Sequence, residues 1–167
     1  DLWNVTDPNV GFKLSSDDSC MKCYFLDTGL LVSHAFDEGE LVSNVVHNRI
    51  LAGDMELNEG MLVENVVAQI LTACGRKLYF YSRRSREESN NRMEVDFMLS
   101  RSKLDVAHNV VPIEVKSGKN ASHRSLDKFV EKFASYVDKP YLLWMKDRKT
   151  QDGVEYLPIY MAPCLAE

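Results

Sequence analysis

The sequence predicts an α/β layer structure built on a mixed sheet, and three observations carry that prediction. Val63, Val66, Val67, Ile70, Leu71 and Cys74 form one apolar stripe at helical spacing. Three strand-like segments follow it directly: Leu78 to Ser82, Met93 to Leu99, and Val110 to Val115. A second helical stripe, Leu126, Phe129, Val130, Phe133 and Tyr136, then precedes the buried-type strand Tyr141 to Met145. Helix, three strands, helix, strand is the order of a layered α/β domain.

Each element has a local reason. Residues 1–19 mix Asn, Asp, Gly and Ser with a few apolar side chains, a lead-in with room for one short strand. Cys20 to Leu26 is strand-like, and Asp27-Thr28-Gly29 caps a short helix over Leu30 to Phe36. Leu41, Val42, Val45, Val46, Arg49 and Ile50 keep helical spacing. Asn58 is placed to cap the first main helix, and Gly75 to stop it as a C′ residue. Ser122 is the expected cap of the second, which Lys139-Pro140 closes. Val154 to Met161 reads as a last strand or pair, with Pro158 indicating an edge. The expected organisation is an N-terminal strand and helix extension over 1–57 and an α/β core over 58–167, packed as one unit.

The 167 residues, 45% apolar and 27% charged, suit one globular domain with little room for a second. The chain opens on Asp1 rather than Met, so functional parts are expected upstream. No apolar run approaches a membrane span and no secretory pattern opens the chain, so the expected setting is cytoplasmic, without membrane contact. Four cysteines then read as reduced thiols. A net charge of −5 weighs against general, strong DNA binding, although a local basic groove can coexist with an acidic whole.

Strand alternation sorts the charges. In MEVDFML, Met93, Val95, Phe97 and Leu99 share one face and leave Glu94 and Asp96 on the other. In VPIEVK, Val111, Ile113 and Val115 leave Glu114 and Lys116 opposite. On the preceding helix Glu64 falls beside Leu71, at the margin of the apolar stripe. If the strands pair with charged faces together, Asp96, Glu114 and Lys116 converge. Two or three carboxylates around one point suit Mg²⁺ or Mn²⁺, which polarises a phosphoryl oxygen and activates water, while a neighbouring Lys orients that water. An E-x-K pair taken alone is more often a solvated sheet face. The combination points to metal-assisted phosphodiester hydrolysis.

Asp96, a 17-residue gap, then Glu114-Val115-Lys116, with Glu64 in the preceding helix, resembles the PD-(D/E)xK restriction-endonuclease-like nuclease core. More narrowly, the chain resembles the uncharacterised C-terminal domain that follows an AAA-class P-loop ATPase module in many prokaryotic proteins. The stretches that carry this are KCYFLDTGLL, NEGMLVENVVAQIL, LYFYSRR with MEVDFML, PIEVKSGKNASHRSLDKF and YLPIYMAPCL. The resemblance implies a mixed sheet flanked by helices, with Glu64, Asp96 and Glu114 as metal ligands and Lys116 completing the catalytic set. It also implies an upstream ATPase as partner and DNA as substrate. Val95 stands where the eponymous motif has Pro. An alternative remains open: a catalytically silent module of this fold that recognises nucleic acid or a partner and regulates the ATPase.

SGKN at 117–120 is not a P-loop, because Ile113 and Asn120 stand where that motif needs Gly and Ser or Thr. ATP is therefore expected only through the upstream module. Cys20 and Cys23 lack a partner pair for zinc, and a strand sends them to opposite faces. Lys119, His123 and Arg124 are placed to meet a nucleic-acid backbone at the second helix N-terminus, and Arg83, Arg84 and Arg86 to form a basic hairpin tip. A solvated loop, with Glu87 and Glu88 offsetting the charge, explains the arginines at least as well. Phe129, Phe133, Tyr136 and Trp144 read as core. The oligomeric state is left open.

Overall fold

The computed structural model describes residues 2–35, 59–83, 93–101, 109–118 and 122–166. Eight strands form one mixed sheet: β1 (Leu2–Val5), β2 (Ser16–Lys22), β3 (Tyr79–Arg83), β4 (Met93–Ser100), β5 (Val110–Val115), β6 (Tyr141–Trp144), β7 (Lys149–Gln151) and β8 (Val154–Pro158), in the order β2-β1-β3-β4-β5-β6-β8-β7. Pairing is parallel for β1/β3, β5/β6 and β6/β8, and antiparallel for the other neighbours. The first strands are thus part of the same sheet as the last.

Among the described residues three α-helices accompany the sheet: α1 (Thr28–Ala35), α2 (Glu59–Ala73) and α3 (Arg124–Lys132). Val67 and Leu71 of α2 pack on Phe80, Phe97, Leu99, Ile113 and Leu143. Leu126 and Phe129 of α3 pack with Tyr81, Val95, Met98, Val110 and Leu142 in a second cluster. Fully burying one such Leu or Phe contributes about 2 kcal/mol, which is why each helix keeps an apolar stripe. Phe133 and Trp144 are buried in this second cluster, and Tyr136 packs against it.

The ends of the helices follow local chemistry. Asp27 Oδ1 accepts the Leu30 N–H at 3.0 Å and so caps α1. Gly75, at φ +79°, closes α2: its N–H reaches the Thr72 carbonyl at 2.9 Å, and the Arg76 N–H reaches that of Leu71 at 3.1 Å. That pair of bonds is the Schellman arrangement. For α3 the cap is His123, not Ser122, and no side chain bonds the free N–H groups. Pro158 ends β8, which lies inside the sheet between β6 and β7, so β7 is the edge on that side. The helix expected over 41–50, Asn58, Arg84 and Arg86 lie outside the described residues.

Strict alternation fails in β4. Tyr81 pairs with Val95 while Tyr79 pairs with Met98, so Asp96 and Phe97 together oppose Phe80. This β-bulge changes the side of the sheet that successive residues meet. Met93 and Val95 pack on the α3 side, whereas Phe97 and Leu99 pack on the α2 side. The expected common face of Met93, Val95, Phe97 and Leu99 is therefore split in two, because one inserted residue resets a period of two.

Candidate functional site

The bulge aims Asp96 at the point where β4 and β5 part. The recorded pairing of these strands runs from Phe97↔Ile113 to Ser100↔Val110. Beyond it, Asp96 Oδ2 accepts the Val115 backbone N–H at 2.9 Å, taking over the role of a strand carbonyl. The carboxylate is thereby fixed to the E-x-K strand by its own side chain.

On the α2 side, Lys22 of β2 stands among three acids. Its Nζ lies 2.9 Å from Glu64 Oε1, 3.2 Å from Glu94 Oε1 and 3.5 Å from Asp96 Oδ1. Tyr24 donates its hydroxyl to Glu64 as well. Tyr24 is positioned by Asn65, one of the few buried polar residues. Asn65 Oδ1 accepts the Phe25 N–H at 2.8 Å, and its Nδ2 donates to the Phe25 carbonyl and to Thr28 Oγ1 at 3.2 and 3.0 Å. Gln69, one turn on, donates to the same Phe25 carbonyl at 3.1 Å. The loop after β2 is thus pinned to α2, and the Glu64 side chain is met by a phenol and an ammonium.

Electrostatics follow from this crowding. Burial and the Glu64 charge push the Asp96 carboxyl up to about 7, against the opposing pull of Lys22 and the Val115 N–H. Burial alone would lower Lys22, but Asp96, Glu64 and Glu94 outweigh it and raise the ammonium above its ordinary value. Burial and Glu64 raise the Tyr24 phenol, so it stays protonated and donates.

Glu114 and Lys116 form the other half of the site. Glu114 is only 5% exposed. Its neighbours Ile113 and Val115 pack on the α2 side, which sends Glu114 to the α3 side by alternation. Glu114 Oε1 lies 2.6 Å from Lys116 Nζ, and its Oε2 is buried without a hydrogen-bond partner among the described residues. Burial raises the Glu114 carboxyl; Lys116 and then His123 oppose the rise, and Asp127 adds to it. Burial would lower Lys116, yet its bond to Glu114 raises it, and Asp96 and Glu64 contribute across the gap. His123 pairs with Asp127 at 2.7 Å rather than facing outward alone. Arg124 is exposed at the first turn of α3, and Lys119 lies outside the described residues.

Of the residues expected from sequence, Glu64 and Asp96 stand together, and Glu114 and Lys116 stand together. The two pairs are neighbours on opposite sides of the parted strands. Among the described residues no three Asp, Glu, His or Cys side chains are arranged to hold a metal ion. The Glu64 and Asp96 oxygens meet Lys22, Tyr24 and the Val115 N–H, and Glu114 meets Lys116. Lys22, Tyr24 and Asn65 were missed from sequence. Alternation in CMKCY places Cys20, Lys22 and Tyr24 on one face, and that was the available signal.

Among the described residues no helix is long and apolar enough to cross a membrane. No curated protein and no solved structure matches the chain. Residues 59–162, from the start of α2 almost to the C-terminus, match the family described as a domain of unknown function, DUF4143. Glu64, Asp96, Glu114 and Lys116 lie inside that segment; Lys22 and Tyr24 precede it. With well over half of its length matched, the chain belongs to the DUF4143 family.

Proposed function

We propose that this domain is a restriction-endonuclease-like module that hydrolyses phosphodiester bonds in DNA with Mg²⁺ or Mn²⁺. In this reading it is the C-terminal partner of an AAA-type ATPase module that also binds the ATP. One observation carries the reading: charge is unbalanced where β4 and β5 part. Three carboxylates, Glu64, Glu94 and Asp96, share the single ammonium of Lys22, while Glu114 is matched one to one by Lys116. A purely structural ion-pair network is stable only when its buried charges are compensated. This one is short of positive charge, which a proton on Asp96 makes up in part and a divalent ion makes up in full.

Such an ion, when bound, supplies a Lewis acid and a water of lowered pKa. The chain supplies the rest. Asp96 is held in place by the Val115 N–H, and Glu64 is oriented by Tyr24. Lys116, 34% exposed at its side chain, presents an ammonium to solvent, and its bond to Glu114 outweighs the lowering by burial. That ammonium is suited to stabilise negative charge developing on a phosphoryl oxygen. The test is incubation with labelled single- and double-stranded DNA and RNA in Mg²⁺ or Mn²⁺, with a chelator control. The reading requires metal-dependent cleavage that falls at least about a hundredfold in Lys116→Ala, as loss of one charge-stabilising group costs.

A second reading has its own support. Lys22 touches Glu64, Glu94 and Asp96 at once and neutralises part of the cluster without any metal. A silent module that recognises a partner of the ATPase needs no more than that. It predicts a folded domain with no cleavage of any of these substrates.

A further inference from the structure

A groove of about 740 Å³ opens between the β1/β2 end of the sheet and the C-terminal half of α2. It is separate from the Glu114–Lys116 pair, and only Tyr24, on one wall, connects it with Glu64. Four aromatic residues, Trp3, Tyr24, Phe25 and Tyr79, line it together with Lys13, Arg76 and Lys77. Asp18 is the one acid in the lining. In a chain of net charge −5 this is a local reversal of sign. Arg76 is partly committed, donating to the Ser100 carbonyl at 2.8 Å, but Lys13 and Lys77 are exposed and have no carboxylate partner among the described residues.

We propose that this groove binds one nucleotide unit, its base against Trp3 and the tyrosines and its phosphate on Lys13 and Lys77. Aromatic lining residues together with exposed cations match a ligand that carries both a π face and an anion. The volume falls in the range of ordinary small-ligand sites, so it suits a single unit rather than a docked protein. An acidic peptide would satisfy the lysines but leave Trp3 unstacked, whereas the rings of Tyr79 and Tyr24 already pack against Phe12 and Phe97. The ligand is either a free nucleotide or one residue of a single strand, and the chemistry is common to both.

The site is tested in chelator, so that binding is read without any cleavage and its outcome is independent of the hydrolytic reading. The chain has two tryptophans, and Trp144 is buried on the α3 side of the sheet. In Trp144→Phe, the remaining Trp3 emission reports the groove directly. Titration with AMP, ATP and an oligothymidylate should quench it saturably, and the tighter of the two ligand types identifies the source. Lys13→Glu with Lys77→Glu should weaken binding about tenfold or more and flatten its salt dependence. A labelled-oligonucleotide anisotropy titration of the otherwise unaltered chain gives the same comparison should Trp144→Phe fold poorly. Binding of neither ligand type, binding unaffected by the charge reversals, or quenching by a poly-glutamate peptide at equal concentration overturns the proposal.

Discussion

Asp96 and Val115 are joined by a side-chain to backbone hydrogen bond of 2.9 Å that spans the gap where their strands separate. The bond makes Asp96 a structural clasp as well as a charge, and the two roles pull apart with pH. In chelator, the folded carboxyl titrates at about 7, above its unfolded value of 3.8. Between those values the folded state holds a proton that the unfolded state has lost, so stability falls as pH rises through this window.

The isosteric Asp96→Asn removes the charge and keeps an acceptor for the Val115 N–H. It should match the parent near pH 4 and exceed it in stability by roughly 2–4 kcal/mol at pH 8. Urea denaturation at a series of pH values measures this. A constant difference across the series would show that Asp96 is not strained by its neighbours.

Lys22 is the counter-ion of Glu64, Glu94 and Asp96, with 21% of its side chain exposed. Lys22→Met keeps the stem and removes the charge. The metal-free variant should lose roughly 2–4 kcal/mol, since three acids then face one another. It should also bind Mn²⁺ more tightly than the parent, because the ammonium no longer competes for the same oxygens. Calorimetric titration with Mn²⁺ checks this, and unchanged or weaker affinity would argue that no divalent ion belongs there.

Asn65 carries three hydrogen bonds from a position that is 1% exposed. Asn65→Ala leaves the Phe25 N–H without its partner and frees the loop that presents Tyr24. A loss of about 2–4 kcal/mol is expected in thermal or urea unfolding. A loss below ~1 kcal/mol would mean that solvent replaces these bonds.

What the sequence made legible was whatever is local. The α2 stripe and its stop at Gly75 follow from helical spacing and from the φ freedom of one glycine. The E-x-K strand and the acids beside it follow from a period of two. The β4 bulge was invisible because alternation carries no mark of one inserted residue, and it moved Phe97 and Leu99 to the other side of the sheet. Lys22 was missed because its partners lie 42 to 74 positions away and only the sheet order brings β2 to them. Asn65 had a faint signal, a polar residue three before Ala68 on the buried side of α2. The short strand β7 is polar and exposed, so no hydrophobic pattern announced it.

Glu114 and Lys116, set beside Asp96, are the groups on which the proposed hydrolysis rests. The most direct measurement is the Mn²⁺-dependent cleavage rate of a labelled DNA strand by the parent and by Glu114→Gln, both shown to be folded by circular dichroism. Measurable cleavage by the parent is expected, with a loss of about a hundredfold or more in Glu114→Gln, since the neutral amide no longer anchors the Lys116 ammonium in place. Cleavage at equal rates by both proteins, or by neither, would contradict it.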